Sequence, residues 1–277
     1  MSKKVTKIIS VILSVCLLSA LCGCSLTSFT VDELKTLYPK AVENSLKEEL
    51  YYWKETVNNN NKDSLYRTCN VYAEIDKQYN VIRNEDGSLS NMKIDVTASK
   101  NSKNTYKALC GKSQSSSSEE TKNYLFETSY NDDGEEVSKA KTEISPQNYV
   151  KSDAFADNYS LASVLSELSV LTVEDMNFDF DKSKLEHKGN VVKISFKVKD
   201  EYVSKYKEEF NKNSVFENSN YVTLEISYNR ISSLVIYQEE KLSEKVSADK
   251  EVYKLEISYF GPIVNIPSYD SDEWSEV

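Results

Sequence analysis

The chain has 277 residues, 34 basic against 44 acidic side chains and one histidine, for a net charge of −10. That balance argues against nucleic acid as a partner and against charge-driven adhesion to anionic lipid, both of which want a basic face. Six Gly and four Pro are too few for a disordered stalk, and the length suffices for one large core.

Lys3, Lys4 and Lys7 precede an almost unbroken apolar run of fourteen residues, Ile8 to Leu21, the layout of a secretory signal peptide. A membrane span needs about 20 apolar residues, so this run is expected to direct export and not to anchor. Leu21-Cys22-Gly23-Cys24, at its end, resembles the bacterial lipobox, in which Leu and a small residue precede the Cys that receives a diacylglyceryl group and becomes residue one. Cys24 is the expected lipidation site: small Gly23 lets the peptidase reach the bond, and the thiolate is the nucleophile. Cys22 follows bulky Leu21 and fits that role badly. Two acyl chains hold a protein stably on a bilayer. The expected location is therefore the extracytoplasmic face of the cell membrane, with the bilayer as partner through Cys24. Residues 1–23 read as the signal peptide, 24–30 as the lipidated Cys and a short tether, and 31–277 as one domain. That mature chain carries 31 basic and 44 acidic residues, net −13. Its six tether residues reach at most ~20 Å, which keeps the domain close to the membrane.

Thr30-Val-Asp-Glu33 has the form of a capping box. Leu34, Leu37, Ala41, Val42 and Leu46 follow at helical spacing, predicting an amphipathic helix to about residue 49, bent at Pro39. The period then changes to two: Tyr51, Trp53, Val57; Cys69, Val71, Ala73, Ile75; Met92, Ile94, Val96, Ala98; Tyr106, Ala108, Cys110; Tyr124, Phe126. Asn58–Asn61, Asn84–Gly87, Asn101–Asn104, the polar run 111–120 and Asn131–Gly134 carry turn chemistry between these strands. The first half thus reads as one helix and an antiparallel meander. Leu161, Val164, Leu165 and Leu168 predict a second helix, Met176 to Phe180 and Val192 to Val198 further strands, and Asp200 a cap for a helix carrying Tyr202, Tyr206 and Phe210. Strands near 221–228, 231–239 and 250–259 precede an acidic tail.

This organisation resembles the lipoprotein-carrier half-barrel superfamily that includes the LolA carrier and the LppX/LprG-type lipoproteins. The matching pieces are NSLKEELYYWKETV (44–57), the strand series to 130, SLASVLSEL (160–168) and YKLEISYFGPIVNIP (253–267), and the likeness covers about 240 residues. It implies an α+β fold, a strongly curved antiparallel sheet with an N-terminal helix and lid helices on the concave side, and a concave face that often takes lipid or another apolar ligand. Inward positions Trp53, Val71, Ile75, Met92, Ile94 and Val96, with Tyr124 and Phe126 further along, could line such a cavity. Leu161, Leu165 and Leu168 would close it as a lid. The alternative is that helix and sheet fill the space as an ordinary core. In that case the protein is a structural or interaction module contacting another envelope protein or a glycan.

Catalysis finds no support in the motifs. His187 lies in a charged stretch that reads as a solvated turn, no Cys or His sits at zinc spacing, and GxSxG, P-loop, GxGxxG and HExxH patterns are absent. Glu119-Glu120, Asp132-Asp133 and Glu135-Glu136 read as solvated loop charge. No cofactor, metal site or catalytic residue is expected. Cys69 and Cys110, on the second and fourth strands of the meander, would stand about 9.6 Å apart, beyond the roughly 6.8 Å limit of a disulfide; in that strand order they read as two buried free thiols, and another order would leave an exported protein's disulfide open to them. The nineteen Tyr sit largely at strand positions, where aromatic residues are favoured in any case.

Overall fold

The computed structural model describes residues 27–58, 63–78, 80–114, 121–243 and 246–259. The signal segment, Cys24, Asn59–Asn61, Glu119-Glu120 and the tail from residue 260 lie outside them. In chain order the elements are β1 (Thr27–Ser28), α1 (Val31–Leu46), β2 (Tyr51–Asn58), β3 (Ser64–Tyr72), β4 (Lys93–Lys100), β5 (Lys103–Gln114), β6 (Thr121–Tyr130) and β7 (Glu136–Glu143). Three short helices follow, α2 (Pro146–Tyr149), α3 (Asp153–Asn158) and α4 (Leu161–Val164), then a 3-10 turn at Val173–Asp175. The chain continues with β8 (Met176–Asn177), β9 (Lys184–Lys188), β10 (Val191–Val198), α5 (Asp200–Phe210), β11 (Tyr221–Ser227), β12 (Arg230–Lys241) and β13 (Ser247–Tyr259). Twelve strands form one open sheet in the order β1-β9-β10-β11-β12-β13-β2-β3-β4-β5-β6-β7, with β8 on the far end of β10. Neighbouring strands are antiparallel throughout, and β1 and β7 are the edges.

One face of the sheet carries the helices and the core. Three cross-strand rows run over it: Tyr259-Tyr51-Val71-Ile94-Cys110-Leu125, Ile257-Trp53-Cys69-Val96-Ala108-Glu127, and Leu255-Glu55-Arg67-Ala98-Tyr106-Ser129. The second half supplies Val192, Ile194 and Phe196, Val222, Leu224 and Ile226, and Leu234 and Ile236 to the same buried cluster. Helix α1 lies on this face. Its capping box is formed as expected, with Thr30 N donating to Glu33 at 2.8 Å and Glu33 N to the Thr30 hydroxyl at 3.3 Å. It buries Leu34, Tyr38, Ala41 and Val42 and ends at Leu46, three residues before the expected 49. Ser45 Oγ accepts from Ile231 N at 2.9 Å, and Tyr38 Oη donates to Leu168 O at 2.6 Å.

Several expectations need correction. Tyr124 and Phe126 do not face the core: Tyr124 pairs with Gly111 and Phe126 with Leu109, while Leu125 shares the row of Cys110. Three consecutive apolar residues carry no parity, and only the β5–β6 register decides which points inward. Ile75 lies off the sheet, in an excursion between β3 and β4 held by the bridges Ile75↔Val81 and Arg83↔Leu89. The expected helix from 161 is one of three short pieces, because Ser145, Ser152 and Ser160 each accept from a backbone N–H three residues on and restart the helix. The expected Asp200 cap is Lys199, without a side-chain bond, and Asp200 instead stands in the first turn facing the positive helix end. His187 belongs to a strand, opposite Thr27 and edge-on to Phe29 at 5.6 Å. Strand β7 was not foreseen at all; it is a largely exposed edge.

Cys69 and Cys110 stand on β3 and β5 with β4 between them, both buried and free. Burial pushes both thiols up, Cys110 to about 12. Neither should react with a disulfide-exchange reagent at neutral pH in the folded protein, and both should react once it is unfolded in guanidinium. Rapid modification of the native protein would contradict this burial.

Glu167 is buried and caps the 214–216 turn, accepting from the Ser214 hydroxyl and from Val215 N at 2.8 Å. Desolvation pushes its carboxyl up in spite of these bonds. A native acid with a raised pKa binds its proton more tightly than the unfolded chain does, so stability declines as pH rises from the ordinary carboxylate range through the folded value. Glu167→Gln should flatten that part of the curve of unfolding midpoint against pH, and a slope identical to wild type would refute the assignment.

Candidate functional site

At one end of the sheet the helix-covered face is not closed. The start of β2, the end of β3, the 73–92 excursion and the segment around α2 surround a cleft of about 710 Å³. Its floor is apolar: Tyr51, Val71, Leu89, Met92 and Phe155, none more than 7% exposed. Its rim is polar and charged, with Glu48, Glu49, Asp86, Lys112 and Lys151. The volume lies in the range of small-molecule sites, and an apolar floor under a few polar groups is their usual composition.

The local chain explains each wall. The excursion folds on itself through Glu74 N to Ser90 O at 3.0 Å and Ile82 N to Glu74 O at 2.9 Å, which brings Leu89 over the sheet. Gln147 Nε2 donates to Leu89 O at 3.1 Å and ties α2 to that wall. Gly87, at φ +82°, makes the turn behind Asp86, and the Asp86 carboxylate accepts from the Ser88 hydroxyl at 2.6 Å and from Ser88 N at 2.9 Å, which hold its pKa below the usual range. Glu48 is paired with Arg230 and Glu49 with Arg83. Lys112 Nζ donates to Asn91 Oδ1 at 2.7 Å. The cleft carboxylates thus serve ion pairs and a turn, within which Ser88 Oγ donates to Asp86 at 2.6 Å. Among the described residues no group of three or more His, Cys, Asp or Glu is placed to hold a metal ion.

Of the expected lining residues, only Val71 and Met92 reach this cleft. Trp53, Ile94, Val96 and Leu165 are 0% exposed, and Leu161 is nearly so; they fill the interior. Leu168 borders a second, smaller groove of about 470 Å³ between α1 and residues 168–174. Ile75 sits in the excursion, and Tyr124 and Phe126 on the opposite face. Leu89, Lys112 and Phe155 were missed because they come from three segments far apart in sequence. The only available signal was the Asn84–Gly87 turn, which marks a reversal but not where it lands.

The interior is closed by a polar and aromatic plug. Tyr159, following α3, lies between the Trp53 ring (centroids 6.5 Å, 14°) and the Tyr106 ring (6.2 Å, 16°). Trp53 Nε1 donates to Tyr159 O at 3.0 Å. Glu55 accepts from Arg67 at 2.6 Å and from Tyr253 Oη at 3.0 Å, and Tyr106 Oη donates to Glu127.

No family model matches this chain, and no curated protein matches it. Among the described residues no helix is long and apolar enough to cross a membrane.

Val150→Trp, at the half-buried mouth of the cleft, should lower the affinity for a fluorescent fatty-acid-type probe by roughly tenfold, about 1.4 kcal/mol. Val150 also packs against the core, so the unfolding midpoint of the variant is measured on the same sample to show that the fold is retained. Unchanged probe binding would remove the cleft as the binding place.

Proposed function

We propose that this protein is a non-catalytic binding protein held on the extracytoplasmic face of the cell membrane by a diacylglyceryl group on Cys24. In this reading the sheet curls as a half-barrel over its own helices and takes an amphipathic, lipid-like ligand. The ligand sits in the open cleft at the mouth, not in the interior. The observation that carries the proposal is the cleft itself, with Tyr51, Val71, Met92 and Phe155 beneath a rim that includes Lys112 and Lys151. Apolar atoms would cover the floor and an anionic head would meet the rim lysines. The export and anchor parts rest on the Lys3-to-Cys24 sequence.

A second reading has its own support. The interior is filled, with Trp53, Ile94, Val96 and Leu165 fully buried, as in an interaction module that contacts another envelope protein or a glycan through its surface. Native mass spectrometry of the protein purified from membranes separates the two. A stoichiometric adduct of lipid mass, lost in Val150→Trp, is expected; a clean mass unchanged after incubation with membrane lipid would leave the interaction module.

A further inference from the structure

We infer that the end of the sheet carrying the Gly189–Asn190 and Tyr228–Asn229 turns is the bilayer-facing end of this protein, with the Tyr228 ring at the headgroup level. This rests on the reading of Cys24 as the lipid anchor. Thr27 pairs with His187 and Ser28 with Glu186, so β1 runs away from the β9–β10 turn and its upstream end points toward Gly189. Cys24 precedes Thr27 by three residues, a covalent reach of at most ~11 Å. An anchor on so short a lead leaves this end of the sheet little freedom to leave the surface.

The neighbouring turn supplies an independent observation. Tyr228 is 67% exposed, the most exposed large hydrophobic or aromatic side chain among the described residues, and stands at φ +51° beside Asn229 at φ +58°. A bulky side chain in the left-handed region is disfavoured, and a Gly or Asn there would form the same hairpin more easily. Tyr228 N donates to Asn190 O at 2.9 Å, so the two turns form one tip. An amphipathic ring at such a tip suits the membrane–water interface, where one side is apolar and the other wet.

The pairing register places the cleft on the same rim. Ser227 pairs with Arg230 at the start of β12, Tyr259 at the end of β13 with Tyr51, Tyr51 with Val71, and Ile94 with Cys110. Tyr51, Val71, Met92 and Lys112 therefore lie toward the end that holds Tyr228, and the cleft mouth is set to exchange an amphiphile with the bilayer. The opposite end is far away: β12 spans 12 residues before Leu242, on the order of 40 Å at strand rise.

The test places a fluorescent label on Tyr228→Cys or on Leu242→Cys in the full-length protein, reconstituted in phosphatidylglycerol vesicles that contain a nitroxide-headgroup lipid. Cys69 and Cys110 are buried and do not compete for label. The label at 228 should lose most of its fluorescence and the label at 242 almost none. Asn190→Cys carries the same expectation as 228 and stands in if the first variant misfolds. Equal quenching at both ends, or quenching at 242 alone, overturns the orientation. The mass of the Cys24 peptide from the same sample keeps the two readings apart: a lipidated Cys24 with a quenched 242 label sinks only the orientation, and an unmodified Cys24 sinks the anchor and the orientation with it.

Discussion

The structure depends on filling one face of a twelve-strand open sheet. Trp53 lies in the middle row of that face, fully buried, with Cys69 and Ile257 beside it and the Tyr159 ring stacked above. Burying a ring of this size contributes on the order of 4–6 kcal/mol by area, and its N–H is satisfied by the Tyr159 carbonyl, so burial costs no orphan donor. The same contact fixes the 145–170 segment, whose three short helices contain too few hydrogen-bonded turns to be stable without packing. Once that segment is fixed, what remains open is the cleft at its end.

The polar residues of the core face are arranged around this contact. Glu55 and Arg67 would each be costly to bury alone, but they face each other on β2 and β3, and Tyr253 and the Asn158 carbonyl take up remaining bonds. Arg67 also lies over the Trp53 ring, 5.8 Å from its centroid. Burial pushes the Tyr253 phenol up, next to the Glu55 charge. A satisfied network of this kind favours one registry of the sheet and the 145–170 segment over its neighbours.

Topology makes the two halves one unit. Strand β13, late in the chain, pairs with β2 over seven residues, so the first meander is completed only when the second has formed. Such non-local pairing is slow to form because the loop entropy precedes the reward. The same pairing places Glu48 beside Arg230 and brings the two turn tips and the cleft walls to one rim. The proposed ligand exchange with the bilayer depends on that shared rim.

Several features were legible in the sequence because they depend on near neighbours. The Thr30–Glu33 capping box, the apolar spacing of α1, and the period-two strands at Trp53, Cys69, Val96, Ala108 and Ile194 all appear where local pattern put them. The separation of the two thiols followed from strand order alone. Where the pattern was silent, tertiary structure decided. Tyr124-Leu125-Phe126 has no parity of its own, and pairing with Cys110 turned Leu125 inward. Glu136–Glu143 is a strand without an apolar stripe, existing because β6 offers it an edge. His187 became a strand residue because β1 and β10 flank its strand. The cleft was the least legible feature, since its walls meet only after the 73–92 excursion and the α2 segment fold over the sheet. Local hydrogen bonding and side-chain period are written in the sequence, whereas which distant segments share a face is settled by the free energy of the whole packed sheet.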